Sequence, residues 1–169
     1  MLRAMRSSLF SFPNPVNETS ARLVAAGAVT QSVAYLVLRE WWVLLPLAYG
    51  FVARVLSGPR LSPLGRFVTE VVTPRLRLEH RFVPGPPKRF AQGVGAVVSL
   101  GALTAVALGA PTVSDALVGG LAVAASLEAA FAFCLGCKVF ALLMKVGVVP
   151  DSVCEECNDI SRRLVAATS

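Results

Sequence analysis

The chain has 169 residues, of which 55% are hydrophobic and 15% are charged, and its mean hydropathy is +0.67. A soluble domain typically carries about 25% charged residues, so this composition excludes an ordinary soluble domain and indicates one integral membrane domain over residues 1–169. The formal net charge is +6, but no aromatic or glycine-rich recognition pattern accompanies the basic residues, and we therefore expect no nucleic-acid partner.

Four apolar segments approach the roughly 20 residues that a helix needs to cross a bilayer. The fold class that they predict is an all-α membrane protein with four transmembrane helices. The residues that follow, about 136–169, are expected to form a cysteine-bearing tail with a short C-terminal helix. The four predicted spans lie at about 21–38, 41–56, 90–108 and 113–135.

The segment between the second and third predicted spans contains the sequence SPLGRFVTEVVTP. Ser62 suits a helix N-cap and Pro63 suits the first helical position, while Pro74 ends the pattern. We expect a short amphipathic helix that lies in the cytoplasmic membrane interface, with its cations near anionic lipid headgroups. The apolar residues on one face of this helix are Leu64, Phe67, Val68, Val71 and Val72.

Lys and Arg residues are concentrated in the two tails and in the segment between the second and third predicted spans. The loop between the third and fourth spans has none. Because cytoplasmic loops carry an excess of Lys and Arg, the sequence predicts a multi-pass protein of the lipid bilayer with both termini in the cytoplasm.

Glu128 lies inside the fourth predicted span, where a charged side chain is costly and usually faces a partner or a cavity. Arg22 and Arg54 lie at a similar depth in the first and second predicted spans. We expect a buried ion pair between Glu128 and one of these arginines. A proton or substrate site on the same carboxylate is the alternative, and both interpretations stay open.

All four cysteines lie near the C-terminus, as two C-x-x-C pairs that sixteen residues separate. The first pair is Cys134 and Cys137, and the second is Cys154 and Cys157. On the predicted topology both pairs face the reducing cytoplasm, so permanent disulfides are not expected. The spacing falls within the range of a four-thiolate zinc site. The alternative is a pair of dithiols that exchange disulfides or carry sulfur.

The second pair has the setting of a reactive dithiol. Ser152 can cap a short helix and Glu155 can complete a capping box, which puts Cys154 in the first helical turn, where backbone dipoles stabilise a thiolate. Cys157 shares a helical face with apolar residues and is expected to pack inward. We therefore interpret Cys154 as an accessible attacking thiol and Cys157 as the thiol that resolves the mixed disulfide.

The first pair has a less favourable setting. Cys134 and Cys137 come late in the fourth predicted span, near the negative end of its helix dipole, which disfavours a thiolate. On a continuous helix, Cys137 and Glu128 would also point to nearly opposite faces. We interpret Cys134 and Cys137 as an additional, membrane-proximal dithiol, and we do not expect Glu128 to act on it as a base.

Three segments resemble the bacterial integral membrane family labelled domain of unknown function 4395, and the resemblance extends over nearly the whole chain. It implies a bacterial cell (inner) membrane location and no established activity. Members often occur alongside thioredoxin-like and sulfurtransferase proteins, which implies thiol-redox or sulfur chemistry. The segments are FPNPVNETSARLVAAG at Phe12–Gly27, CLGCKVF at Cys134–Phe140 and VPDSVCEECND at Val149–Asp159.

Taken together, these patterns predict a membrane component of thiol–disulfide exchange or sulfane-sulfur handling that works with a soluble thioredoxin-like or sulfurtransferase partner. One alternative is a membrane scaffold or transport component with a structural four-cysteine zinc site. Another is a quinone-coupled thiol oxidoreductase, which would place the cysteines outside the cytoplasm. Zinc is the one candidate cofactor, and the sequence defines neither the oligomeric state nor whether the chain is an enzyme.

Overall fold

The computed structural model describes residues 12–76 and 81–154. Helices dominate these residues, and two very short strands accompany them. A 3-10 turn at Trp41–Val43 precedes the second helix, and another at Asp151–Cys154 ends the described chain. The elements are β1 (Val16–Asn17), α1 (Glu18–Leu38), α2 (Leu44–Ser57), α3 (residues 63–75), β2 (Phe82–Val83), α4 (Gly85–Ala107), α5 (Pro111–Phe131) and α6 (Leu135–Lys145).

A short antiparallel ladder joins the start of α1 to the start of α4. Val16 of β1 pairs with Val83 of β2. The side chain of Asn17 then caps α1, because its oxygen accepts the backbone N–H groups of Thr19 and Ser20 at 2.9 and 3.3 Å. Both helices therefore begin at the same end of the molecule.

The long helices pack as neighbours in a bundle. Helix α1 lies along α5, α2 lies along α4, and α4 also contacts α5 and α6. At the end where α1 finishes, the Tyr35 hydroxyl donates to Ser114 at 2.8 Å, and Arg39 forms an ion pair with Asp115 at 3.3 Å. The other end gathers the starts of α1, α4 and α6 and the ends of α2 and α5, and we call it the thiol end of the bundle.

Three of the described helices, α1, α4 and α5, are long and apolar enough to cross a membrane. The apolar segment Trp41–Ser57, which includes α2, is shorter, and its crossing of the bilayer stays a prediction. Two helix boundaries differ from the ends of the predicted spans. The predicted span 90–108 corresponds to a helix that already begins at Gly85, and the predicted span 113–135 corresponds to a helix that ends at Phe131.

A helix is present where the sequence predicts an amphipathic one. The Ser62 hydroxyl accepts the Gly65 N–H at 3.2 Å and caps α3, whose central residues, Phe67–Val72, have π-helical hydrogen bonding. Phe67 is exposed while Val68 is buried, so these two apolar residues differ in how far they pack into the protein, and the amphipathic face of α3 stays a prediction. A position of α3 in the membrane interface stays a prediction.

Candidate functional site

The candidate site begins where α5 ends. Phe131 is the last residue of α5, and Ala132 takes a left-handed conformation with φ of 56°. The Ala132 N–H bonds back to the Glu128 carbonyl oxygen at 3.0 Å, in the manner of a helix C-cap. Cys134 is extended and starts a new helix, α6. The continuous helix that the sequence predicts over 113–135 is therefore wrong in its last turn.

This break places the first cysteine pair at the positive end of a helix. Cys134 is the N-cap of α6, and its sulfur accepts the backbone N–H of Cys137 at 3.4 Å. Cys134 is buried and Cys137 is half-buried, and both are free thiols. The expectation that the pair lies near a negative helix end is wrong, because the dipole that acts on Cys134 is that of α6, whose N-terminus faces it.

The two thiols are electrostatically unequal. The Cys137 thiol hydrogen-bonds to Cys134 and lowers the pKa of the Cys134 thiol below its ordinary value, and Lys88 and the backbone N–H of Cys137 act in the same direction. Burial and the charge of Glu128 oppose these effects. The same thiol–thiol hydrogen bond raises the pKa of Cys137. Cys134 is therefore the thiol that ionises first.

Glu128 pairs with Lys88. The Lys88 ammonium lies 2.5 Å from a Glu128 carboxylate oxygen, and the two side chains are only 9% and 12% exposed. The predicted partners, Arg22 and Arg54, are wrong. The predicted span bounds leave Lys88 in the basic segment before the third span, whereas α4 starts at Gly85 and carries Lys88 into the bundle. The sequence signal for this early start is the proline pair just after Gly85, since proline is favoured in the first helical turn.

Arg22 has a different role, as a cap for α5. Its guanidinium donates to the carbonyl oxygens of Ala129 and Ala130 at 3.0 and 2.9 Å. These carbonyls belong to the last turn of α5, where they have no partner within the helix. Arg22 therefore ties α1 to the end of α5, immediately before the break that positions Cys134.

Arg54 is 5% exposed, and its described hydrogen-bond partners are neutral side chains. Its Nε donates to the Gln92 side-chain oxygen at 2.7 Å, and its Nη1 donates to the Ser62 hydroxyl at 3.3 Å. The guanidinium carbon also lies 4.5 Å from the centre of the Phe51 ring. Within the described residues, no carboxylate oxygen lies within 4.0 Å of Arg54, although the charge of Glu128 is close enough to act on it.

A cavity of about 450 Å³ lies inside the bundle beside the first cysteine pair, and we call it the thiol cavity. Its polar lining is Arg54, Gln92, Glu128 and Cys134, and the rest is mostly small and aliphatic. A continuous helix would have turned Glu128 and Cys134 to different faces. The break at Ala132 brings both to one cavity, where a carboxylate, a cation and a thiol surround a common space.

Gly136 allows α6 to lie close to α4. A β-carbon at Gly136 would come within 2.6 Å of both the α-carbon and the β-carbon of Ala91. Real β-carbons essentially never approach so closely. Glycine is therefore needed at position 136 of the C-L-G-C sequence for α6 to pack this closely against α4. This close packing also sets the position of Cys134 relative to α4.

The second cysteine pair is only partly within the described residues. Cys154 ends the last 3-10 turn, is buried, and takes part in a disulfide bond. The prediction that Cys154 is accessible is wrong, because its side chain is buried, whereas the preceding residue, Val153, is exposed. Cys157 and the capping-box residue Glu155 lie outside the described residues. Over residues 12–76 and 81–154, no group of three or more metal-ligating side chains comes together, and a zinc site that includes Cys157 stays a prediction.

The described chain is thus a helical bundle that has three membrane-length helices and a dithiol at a helix N-terminus beside buried charges. The chain belongs to the family described as Domain of unknown function (DUF4395), which matches residues 16–145, and this confirms the predicted family. The matched region includes Cys134 and Cys137 and ends before Cys154. No curated protein and no solved structure matches the chain.

Proposed function

We propose that this chain is an integral membrane thiol–disulfide exchange or sulfane-sulfur transfer component in which Cys134 is the attacking thiol and Cys137 the resolving thiol. The observation that carries the proposal is the position of Cys134 as the N-cap of α6, with its sulfur accepting the Cys137 N–H. This arrangement stabilises a thiolate. It transfers to Cys134 the attacking role that the sequence pattern favours for Cys154.

The exchange uses the inequality of the two thiols. The Cys134 thiolate attacks one sulfur of a disulfide in the partner, so that a mixed disulfide forms and the other partner sulfur leaves as a thiolate. Cys137 then loses its proton and attacks the Cys134 sulfur, which releases the second partner sulfur. The partner gains two electrons, and this chain holds a Cys134–Cys137 disulfide. In the sulfur-transfer alternative, the same thiolate attacks a sulfane sulfur, becomes a persulfide, and releases the donor's remaining fragment.

The buried charges suit a thiol that must ionise inside the bundle. A thiolate in an apolar setting is costly without compensation. Lys88 favours the ionised form of Cys134, while Glu128 opposes it and neutralises part of the Lys88 charge. The ion pair therefore weakens the effect that the Lys88 charge alone would have on the Cys134 thiol.

The second pair is proposed as the exchange partner of the first within the chain. Val153 and Phe140 line one groove, together with residues of α4. This places the 3-10 turn that ends at Cys154 near α6, the helix that carries Cys137. Disulfide exchange between the two pairs would link the bundle to a soluble thioredoxin-like or sulfurtransferase partner. Four membrane crossings with both termini in the cytoplasm would put that partner in the cytoplasm.

The test uses the full-length protein in neutral detergent, reduced and then mixed with an aromatic disulfide such as Ellman's reagent. Cys137→Ser should accumulate a stable mixed disulfide on Cys134, which mass spectrometry identifies. Cys134→Ser should slow the reaction by about tenfold or more, because the activated thiolate is lost. Cys154→Ser is the matched control, and it should keep the fast reaction at Cys134.

Two results would overturn the proposal. One is a reaction rate at Cys134 that is the same in the folded protein, in the folded Cys137→Ser and Cys154→Ser variants and in the unfolded chain, which would show that the fold does not activate this thiol. The other is one zinc ion per chain with all four thiols protected until a chelator is added, which would identify the four-cysteine zinc site instead. A persulfide on Cys134 after treatment with a sulfane-sulfur donor would identify sulfur transfer as the relevant branch.

A further inference from the structure

A second cavity, of about 440 Å³, lies at the thiol end of the bundle on the other side of the buried charges. We call it the cation cavity. Arg54 and Lys88 line it, and no Asp or Glu side chain is among its described lining residues. Hydrogen-bonding side chains from β1, α1, α3 and α4 form the rest of the described polar wall, namely Asn17, Ser20, Thr69, Thr73 and Gln92.

The cation cavity and the thiol cavity share a polar partition. Arg54 and Gln92, which are hydrogen-bonded to each other, line both cavities. Lys88 lines the cation cavity and its partner Glu128 lines the thiol cavity. The positive members of the partition therefore border the cation cavity, and its single carboxylate borders the other side.

The charges of this partition do not balance. Arg54 and Lys88 each contribute one positive charge, and Glu128, bound to Lys88, contributes one negative charge. Arg54 is almost fully buried, and within residues 12–76 and 81–154 its hydrogen-bond partners are neutral. A buried cation is costly unless it is paired. One further negative charge beside Arg54 would complete the site.

The geometry points to the cation cavity as a binding site for a small tetrahedral oxyanion of the sulfate or phosphate class. The guanidinium of Arg54 keeps N–H groups on Nη1 and Nη2 beyond those that donate to Gln92 and Ser62, and such planar donors match two oxygens of an anion. Ser20 and Thr73 also line the cavity, and because their hydroxyls are hydrogen-bonded to each other at 2.9 Å, the pair keeps one hydroxyl proton to donate. The anion site does not depend on thiol chemistry at Cys134, so either proposal can fail without the other.

The anion has two sources with the same chemistry, a free inorganic oxyanion and the phosphate of an anionic lipid headgroup. Isothermal titration calorimetry on the full-length protein in uncharged detergent separates them. One arm injects millimolar sodium sulfate at constant ionic strength set with sodium chloride. The other injects a short-chain phosphatidylglycerol below its micelle concentration. A saturable heat with sulfate identifies the free anion, and a saturable heat with the lipid alone identifies the headgroup.

Two variants locate the site. Arg54→Gln should weaken binding by about tenfold or more, because a charge-assisted hydrogen bond is lost. Arg75→Gln is its matched control, since Arg75 is exposed at the end of α3, and it should leave the affinity unchanged. Ala21→Leu should abolish binding by filling the cavity, which Ala21 lines. Ala26→Leu, on the exposed side of α1, should not.

The outcomes are decisive even if Arg54→Gln fails to fold, because Ala21→Leu leaves every charge in place. Unfolding midpoints of the variants confirm that folded proteins are compared. The proposal is overturned if neither sulfate nor phosphatidylglycerol gives a saturable heat. It is also overturned if Ala21→Leu binds the anion as tightly as Ala26→Leu does.

Discussion

The ion pair between Lys88 and Glu128 gives the most direct test of the thiol end of the bundle. Replacing Lys88 with methionine keeps a side chain of similar length and removes the charge. Glu128 would then keep a carboxylate in a setting where its side chain is only 12% exposed. Breaking a buried pair by removing one partner typically costs about 3–5 kcal/mol, and we expect Lys88→Met to lower the free energy of unfolding by this order.

The same chain provides a matched surface pair. Arg66 and Glu70 lie 3.2 Å apart on α3, and both side chains are 59% exposed. An exposed pair at this helical spacing contributes about 0.3–0.5 kcal/mol. Arg66→Met should therefore cost several-fold less than Lys88→Met, although both variants remove one cation from an ion pair.

The measurement is equilibrium unfolding of the purified protein in mixed micelles, followed by far-ultraviolet circular dichroism. Combining Lys88→Met with Glu128→Leu should recover most of the lost stability, because no buried charge is then left without a partner. If Lys88→Met costs no more than Arg66→Met, or if the second substitution recovers nothing, the pair is not the buried contact described here.

Three further predictions concern the thiol, the helix contact and the membrane topology. Cys137→Ala removes the hydrogen bond that lowers the pKa of Cys134, so less thiolate is present at a given pH. The midpoint of the pH-dependent alkylation of Cys134 should therefore move to higher pH. An unchanged midpoint would contradict this cause of the lowered pKa. Gly136→Ala should lower the unfolding midpoint, because its β-carbon would collide with Ala91 of α4. Gly93→Ala has open space at its β-carbon and should raise the midpoint slightly, because alanine favours helix. Equal effects would show that the contact of α6 with α4 is not tight. A reporter fused after Ser169 should report cytoplasm, and a periplasmic signal would favour the quinone-coupled alternative.

The apolar patterns predict the long helices well because their signal is spread over many residues. The first predicted span, 21–38, lies within α1 and ends where α1 ends. The least predictable feature is the end of α5. Helices often stop at a glycine in the left-handed conformation, but here alanine takes that conformation at position 132. Alanine favours helix, so local sequence gives no sign of the break.

The role of Lys88 was also hidden, although for another reason. Counting charges to find a topology treats each Lys and Arg near a span as part of a loop, and it therefore cannot recognise one that turns inward. The proline pair before Lys88 would have moved the start of α4 back. Even then, the choice of Lys88 over Arg22 and Arg54 as the partner of Glu128 depends on how α4 packs against α5, which no local pattern contains.

The thiol site and the proposed anion site have one physical origin. Arg22, Arg54 and Lys88 all lie at the thiol end of the bundle, and the N-terminus of α6 adds a partial positive charge there. Within the described residues, Glu128 is the carboxylate that contacts one of these three cations, so the three cations and Glu128 together carry an excess of positive charge. Such an excess lowers the cost of any negative group placed there. The two proposals assign such groups to the two cavities, a thiolate to the thiol cavity and an oxyanion to the cation cavity.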